Sequence, residues 1–401
     1  MSVLSRYSKM FSKKKISNNI ELNFNQQSDR LSGLDLVRII AMIMMVQGHV
    51  IYELTNPTLI NYSDLSWSIW NFFRGLTAPI FLTVSGIVQV FANKREETGK
   101  LTKKTVSRRI FVAINLILIG YFLVFPAEKI FHLPFVQRSV WDYFFQVNVL
   151  QMIGVSLLIV LLLFQLTKNN KQLGISSLIA SMTILLLTPL VFLIDWFNYL
   201  PVPIAAYLSI KKGTLFPIFP YTGFMLAGVA VGTYLKSVPK ELRYQYLIKY
   251  SPIIGVILIL ISLLVTLIFT QFNYLYLEPL KANPGTYIMR LGCVFIFIGL
   301  VSIIYYFTQR FSDFYSILGK RALFVYVAHL VLLYGIPWVP SIGRLKSGAF
   351  SLEFTIPFAF LIILISLSSA YYYELSIARN FKRKVFFKYS LTALLTYLLF
   401  V

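Results

Sequence analysis

The sequence is poor in charged residues, and above all in acidic ones. Asp, Glu, Lys and Arg together make up 13% of the 401 residues, and only 15 residues are acidic. Soluble globular proteins carry about 25% charged residues, so this shortage excludes an ordinary soluble domain. Because 57% of the residues are hydrophobic, the composition predicts a polytopic membrane protein that lies in a lipid bilayer.

Cysteine and histidine are also scarce, with one cysteine and three histidines. Cys293 lies in an apolar run, so the sequence excludes a disulfide framework. It contains no metal-ligand spacing and no glycine-rich phosphate loop, and we predict no metal. The net charge of +22 does not indicate a nucleic-acid partner, because the basic residues lie between apolar segments and not along one surface.

Apolar segments long enough to cross a bilayer recur along the chain. About 20 apolar residues span the hydrocarbon core, and eleven segments approach that length: 34–52, 69–92, 107–125, 144–165, 174–194, 215–235, 250–271, 286–307, 322–338, 354–373 and 386–401. We therefore predict an all-α polytopic membrane protein with about eleven transmembrane helices. Pro217 and Pro220 each lack a backbone donor, which predicts a bend at the start of the sixth helix.

The basic residues indicate the orientation of the chain. The N-terminal stretch and every second loop hold 27 lysines and arginines, whereas the intervening loops hold 7. Cytoplasmic loops carry the excess of basic residues, so we predict a cytoplasmic N-terminus. The predicted organisation is a basic cytoplasmic segment at 1–33, a transmembrane domain at 34–373, and a basic cytoplasmic loop with the last transmembrane helix at 374–401.

The first predicted helix carries three ionisable residues in an otherwise apolar run: Asp35, Arg38 and His49. A charge at the bilayer centre costs about 3 kcal/mol even on lenient scales, so such residues are candidate functional groups. Arg38 and His49 are eleven residues apart, which is about three turns or about 16 Å on one helix face. The predicted orientation puts Asp35 and Arg38 near the cytoplasmic side and His49 towards the outside.

Further polar residues interrupt the other predicted helices. The same orientation places one group in the outer half of the membrane, namely Arg74, Asn148, Gln151 and Arg290. Arg321 falls at the inner end of the ninth helix and His329 near its middle. These residues predict a polar column through the bilayer.

Several segments resemble known membrane acyltransferases. The run Leu34-Asp-Leu-Val-Arg-Ile-Ile-Ala-Met-Ile-Met-Met-Val-Gln-Gly-His49 resembles the first helix of acyltransferase-3 proteins, whose hallmark is an Arg and a His separated by ten residues. Four later segments resemble bacterial relatives of heparan-α-glucosaminide N-acetyltransferase: Ala78-Pro-Ile-Phe-Leu-Thr-Val-Ser-Gly86, Val149-Leu-Gln-Met-Ile-Gly154, Phe216-Pro-Ile-Phe-Pro-Tyr-Thr-Gly223 and Gly319-Lys-Arg-Ala-Leu-Phe-Val-Tyr-Val-Ala-His329. The resemblance covers roughly residues 30 to 340.

The resemblance implies a transmembrane acyltransferase-like fold of the bacterial plasma membrane. It implies an enzyme that moves an acetyl group from cytoplasmic acetyl-CoA to a hydroxyl or amine of an extracytoplasmic glycan or similar acceptor. In the animal heparan enzymes the catalytic His lies in the loop after the first helix, but residues 50–68 contain no His. A hydroxyl acceptor is therefore at least as consistent with this sequence as an amine. The sequence is also compatible with a homodimer.

We predict roles for individual residues on this basis. His49 is the candidate general base, because an unperturbed imidazole titrates near pH 6.5. Asn148 and Gln151 are candidate donors to the oxyanion of the reacting thioester. Four residues are candidates for holding acetyl-CoA, which is the donor substrate: Asp35, Arg38, Arg74 and Arg321.

Each of these residues also has a structural interpretation. His49 can bridge two helices, and Asp35 with Arg38 can be an ion pair that makes a charged helix end tolerable. Asn148 and Gln151 can join helices, which is common for membrane amides. Arg74 either meets a partner on another helix or extends to the outer interface. His329 is interpreted as structural or supporting, and a transporter or permease for a small polar or anionic solute is the main alternative function.

Overall fold

The structure is a computed structural model that describes residues 30–272 and 282–400. Most of the predicted segment 1–33 lies outside the described residues. The compact unit of helices begins at Ser32. The described ranges form helices, turns and three isolated β-bridges. The α-helices are α1 (Ser32–Leu54), α2 (Leu65–Ala92), α3 (Lys103–Leu123), α4 (Arg138–Phe144), α5 (Val149–Leu166), α6 (Asn170–Leu193), α7 (Val202–Ala205), α8 (Ile218–Ser237), α9 (Arg243–Phe272), α10 (Pro284–Thr308), α11 (Ser312–Lys320), α12 (Ala322–Tyr334), α13 (Ile342–Lys346), α14 (Leu352–Tyr372) and α15 (Phe381–Phe400).

Long apolar helices dominate this arrangement. Within the described ranges, nine helical stretches are long and apolar enough to cross a membrane. The all-α polytopic membrane fold predicted from the sequence is therefore confirmed. Every one of the eleven predicted segments overlaps a helix, although four short helices, α4, α7, α11 and α13, lie between them.

Two of the helices are too short or too basic to be clear membrane spans. The count of about eleven transmembrane helices therefore stays a prediction. α12 has 13 residues, and at 1.5 Å per residue it is about 20 Å long, which is less than the hydrocarbon thickness of about 30 Å. α15 has 20 residues, but four basic residues occupy its first half: Lys382, Arg383, Lys384 and Lys388. Its apolar part is therefore only about three turns long.

Local sequence signals account for several helix ends. The Thr102 side chain accepts a hydrogen bond from the Thr105 backbone N–H at 3.0 Å, which is the usual N-cap arrangement at the start of α3. Near the start of α8, Phe219 has non-helical angles (φ −91°, ψ 121°) between Pro217 and Pro220. The predicted bend at this point is confirmed.

The end of α14 does not lead into a long loop. A π-helical turn, Tyr373–Ala378, follows directly, and α15 begins at Phe381. The basic stretch 374–388 is therefore largely helical. The turn carries Glu374, which is 8% exposed and holds an ion pair described below.

Small residues let the central helices approach closely. A Cβ on Gly86 of α2 would overlap the Met225 carbonyl oxygen of α8, and one on Gly228 of α8 would overlap the Thr83 carbonyl oxygen of α2. Such contacts are typical of membrane helix crossings, where small residues permit van der Waals packing between backbones. α1 packs on α2, α10, α11, α12 and α14, so the helix with the three ionisable residues lies at the centre of the bundle.

Candidate functional site

Two histidines from distant parts of the sequence meet inside the bundle. His49 lies on α1 and His329 on α12, and the Nδ1 atom of His49 is 3.1 Å from the Nε2 atom of His329. The ring centroids are 5.3 Å apart and the rings are nearly parallel, at 28°. The structure therefore joins the predicted general base to a residue that the sequence interpretation treated as structural or supporting.

The two imidazoles differ in exposure and in their second contacts. His329 is fully buried, and its Nδ1 atom lies 2.9 Å from the backbone oxygen of Val325. His49 is only partly buried. Tyr326 packs edge-on against His329 at 5.5 Å, and Tyr334 packs edge-on against His49 at 6.0 Å. Of the two rings, His49 is therefore the less buried.

Arg74 of α2 lies beside this pair. Its side chain crosses α1 at Gly48, where a Cβ atom would be 2.9 Å from Arg74 Cγ. The guanidinium lies 4.3 Å from the ring centroid of Tyr52 and 5.2 Å from that of Trp70, and it donates to Asn71 at 3.0 Å. Tyr52 lies on α1, so Arg74 has one aromatic partner on another helix, whereas Trp70 and Asn71 belong to α2 itself.

Arg290 of α10 approaches α2 on another face. Its guanidinium lies over Gly75, with one terminal nitrogen 3.5 Å from the position of a Cβ atom there. The guanidinium of Arg290 therefore lies beside the residue that follows Arg74 on α2. That this part of α2 faces the outside stays a prediction.

The N-terminal end of α1 holds a buried ion pair. The Arg38 guanidinium is 3.5 Å from the Asp35 carboxylate, and Asp35 is 2% exposed. Gly319 of α11 packs directly against the Asp35 side chain. Because the structure brings a negative charge and a positive charge together at this depth, each lowers the cost of burying the other.

Arg321 has a different partner. It donates through Nε to the Glu374 carboxylate at 2.6 Å, and Arg379 lies 4.0 Å from the other oxygen of the same group. The Arg321 guanidinium also lies over the ring of Tyr373 at 5.0 Å. These contacts join α12 to the turn after α14, and the role of Arg321 in donor binding stays a prediction.

Asn148 and Gln151 lie in another group of helices. α5 packs mainly on α3 and α8, with smaller contacts to α6 and α2, and it is not among the helices that pack closely on α1. Gln151 is fully buried against Gly120 of α3, and neither atom of its amide has a hydrogen-bond partner within the described ranges. Among the described residues, His49 has no hydrogen bond to Asn148 or Gln151. Their role as oxyanion donors stays a prediction.

A comparison with protein families matches a large part of this chain. The family described as heparan-alpha-glucosaminide N-acetyltransferase, catalytic, matches residues 30–270, which is more than half of the sequence and includes α1 to α8 and most of α9. A search of curated proteins finds no match. The resemblance noted in the sequence is confirmed, and the chain belongs to the heparan-alpha-glucosaminide N-acetyltransferase catalytic family.

Proposed function

We propose that this protein moves an acetyl group from cytoplasmic acetyl-CoA to a hydroxyl or amine of a glycan or similar acceptor on the outer side of a bacterial plasma membrane. Membership in the family supports a membrane acetyltransferase. The donor, the acceptor and the membrane are part of the proposal.

The observation that carries the proposal is the partly buried imidazole of His49, which within the described ranges has a hydrogen-bond partner at only one of its two nitrogens. Its Nδ1 atom contacts His329, and its Nε2 atom has no hydrogen-bond partner among the described residues. A ring held at one nitrogen and open at the other is suited to general-base catalysis. In the proposed reaction Nε2 takes the proton of the acceptor as the acceptor oxygen or nitrogen attacks the thioester carbonyl, and the C–S bond to coenzyme A then breaks.

The donor would approach from the cytoplasmic side. Coenzyme A is a polyanion, and Arg38 lies at the inner end of α1 with 15% of its side chain exposed. Arginine presents a planar set of donors that matches phosphate oxygens. Arg38 is therefore assigned to the donor phosphates, with Asp35 orienting its guanidinium. Arg74, beside His49 at the opposite end of α1, is too far along the helix to serve the same phosphates and is assigned to the acetyl-bearing end of the donor.

Membrane vesicles test the proposal because they retain native acceptors. Inside-out vesicles that contain the protein would be supplied with acetyl-CoA labelled in its acetyl group, and matched vesicles without the protein serve as the control. We expect label in the glycan or lipid-linked fraction and release of free coenzyme A only with the protein. If the thioester stays intact in both preparations, the protein is not an acetyl-CoA-dependent transferase, and transport becomes the better account.

A further inference from the structure

The hydrogen bonds of the histidine pair define where each neutral ring carries its proton. A carbonyl oxygen can only accept, so the 2.9 Å contact with Val325 requires a proton on Nδ1 of His329. The neutral His329 ring then has a lone pair on Nε2. Because this atom lies 3.1 Å from Nδ1 of His49, the hydrogen bond between the rings requires the proton of His49 to be on Nδ1.

We infer that His329 is a positioning residue that holds His49 in the Nδ1–H tautomer and thereby leaves the lone pair of His49 on Nε2. The tautomer of a histidine is set by the hydrogen bond that its other nitrogen makes. In this protein the Val325 carbonyl determines the tautomer of His329, and His329 in turn determines the tautomer of His49. The catalytic consequence rests on the proposed function, since it is Nε2 that would take the acceptor proton.

The same contact lets the two rings share the positive charge that His49 gains when it accepts the acceptor proton. When Nε2 of His49 accepts a proton, His49 becomes an imidazolium, and its Nδ1 proton can pass across the 3.1 Å contact to Nε2 of His329. His49 is then neutral with its proton on Nε2, and His329 carries the charge while its Nδ1–H still donates to Val325. The reverse transfer lets Nε2–H of His49 protonate the departing thiolate, so the acceptor proton ends on the coenzyme A thiol.

His329 lies outside the part of the chain that matches the family, which ends at residue 270. Its ring is fully buried, and Tyr326 and Val325 enclose it. A residue that only joined α1 to α12 would need neither a fixed proton on Nδ1 nor a lone pair facing His49. The inferred role requires the tautomer of His49 to depend on His329, whereas a purely structural role does not.

A spectroscopic experiment separates these roles without any substrate. The third histidine, His132, lies between α3 and α4, away from this pair. The purified protein, with isotopically labelled histidine nitrogens and with His132→Gln to remove the signal of that residue, would be studied at mildly alkaline pH. We expect both remaining rings to be protonated on Nδ1 and unprotonated on Nε2. In His329→Phe, which keeps a ring but removes the acceptor, the proton of His49 should move to Nε2. In His329→Gln, whose side-chain oxygen can still accept from His49, the Nδ1–H form should be retained.

A proton on Nε2 of His49 in the protein that retains His329 would overturn the inference. So would an unchanged His49 tautomer in His329→Phe. If His329→Phe does not fold, the first of these results is still decisive, because it needs no change at position 329.

Kinetics in the vesicle assay provide the second readout. We expect His329→Phe to lower kcat by about 10- to 100-fold, the range known for partners that orient metal-ligating histidines, with little change in the KM for acetyl-CoA. His329→Gln should recover much of the loss, and His132→Phe, the same substitution in an outer loop, should have no effect. If the native protein transfers no acetyl group, the proposed function fails while the tautomer result still stands. If transfer is observed and kcat is equal in His329→Phe and the native protein, the inference fails alone.

Discussion

Arg74 reaches the neighbourhood of His49 only because α1 has no side chain at position 48. The Arg74 chain crosses the helix at Gly48, and its charge lies over Tyr52 and Trp70. Cation–π contacts of this kind contribute about 0.5 to 2 kcal/mol, depending on desolvation. The position of the guanidinium therefore depends on one glycine and two rings.

Gly48→Ala should displace Arg74 without unfolding the protein. The new Cβ atom would lie 2.9 Å from Arg74 Cγ, and a flexible side chain can move away, while alanine in a helix interior contributes up to about 1 kcal/mol relative to glycine. We expect thermal stability close to that of the native protein and acetyl transfer lowered by about 10-fold or more. Gly75→Ala is the matched control, because its Cβ atom would make only an ordinary contact at 3.5 Å with Arg290. Equal transfer by the two variants would contradict the role of Arg74.

Arg38 allows a direct test of donor binding. Arg38→Ala should weaken acetyl-CoA binding by about 10- to 100-fold, which corresponds to the loss of about 1.5 to 3 kcal/mol for hydrogen bonds to a charged group. Arg38→Lys should restore only part of the affinity, because lysine lacks the planar donor set. Binding would be measured by calorimetry on the purified protein.

The control for Arg38 concerns its buried partner. Asp35 is 2% exposed and loses its ion pair with Arg38 in the alanine variant. The double variant Asp35→Asn with Arg38→Ala removes both charges and should be better folded while still binding acetyl-CoA weakly. Native affinity in this double variant would show that Arg38 has a structural role only.

At the scale of helices, the backbones of α2 and α8 approach each other very closely where the two helices cross. Gly228 faces the Thr83 backbone of α2 with no room for a Cβ atom. Because the obstacle is backbone, neither helix can relieve the overlap by a rotamer change. We expect Gly228→Val to cost about 1 to 3 kcal/mol, seen as a lower midpoint of thermal unfolding in detergent. The matched variant Gly75→Val faces a movable arginine side chain, and an equal loss in both would argue against a close crossing at Gly228.

The helices themselves were predictable because the bilayer dictates their length and composition. Each apolar run of about 20 residues becomes a helix, and Pro217 and Pro220 mark the bend at Phe219. The short helices between them follow no such rule. Their boundaries depend on local turns, so the sequence indicated neither α11 nor the π-helical turn that carries Glu374.

The partners of the polar side chains were much harder to predict. Sequence gives the depth of each residue along its own helix, and it places His49 towards the outside and His329 near the middle of its helix. It does not give the rotation of α12 against α1, so the 3.1 Å contact could not be foreseen. For the same reason Gln151 was expected in one column with His49, whereas its helix packs on α3 and α8.

At the scale of the whole molecule, orientation decides which side supplies the donor. The excess of Lys and Arg in alternate loops predicts that the loop after α1 is external and that the loop after α2 is cytoplasmic. Ser63 and Lys100 are exposed positions in these two loops. In a Cys293→Ser background, we expect an impermeant maleimide to label Ser63→Cys in intact cells and Lys100→Cys only after permeabilisation. Labelling of Lys100→Cys in intact cells would reverse the orientation and with it the cytoplasmic donor.

The measurement that tests the central claim most directly is acetyl transfer by His49→Gln in the vesicle assay. Glutamine keeps a polar side chain of similar reach but cannot act as a base, and α1 remains packed through its apolar residues. We expect the variant to be folded, to bind acetyl-CoA with native affinity, and to transfer the acetyl group about 10²- to 10⁴-fold more slowly, which is the usual contribution of a positioned general base. Transfer at the native rate by a folded His49→Gln protein would contradict the account.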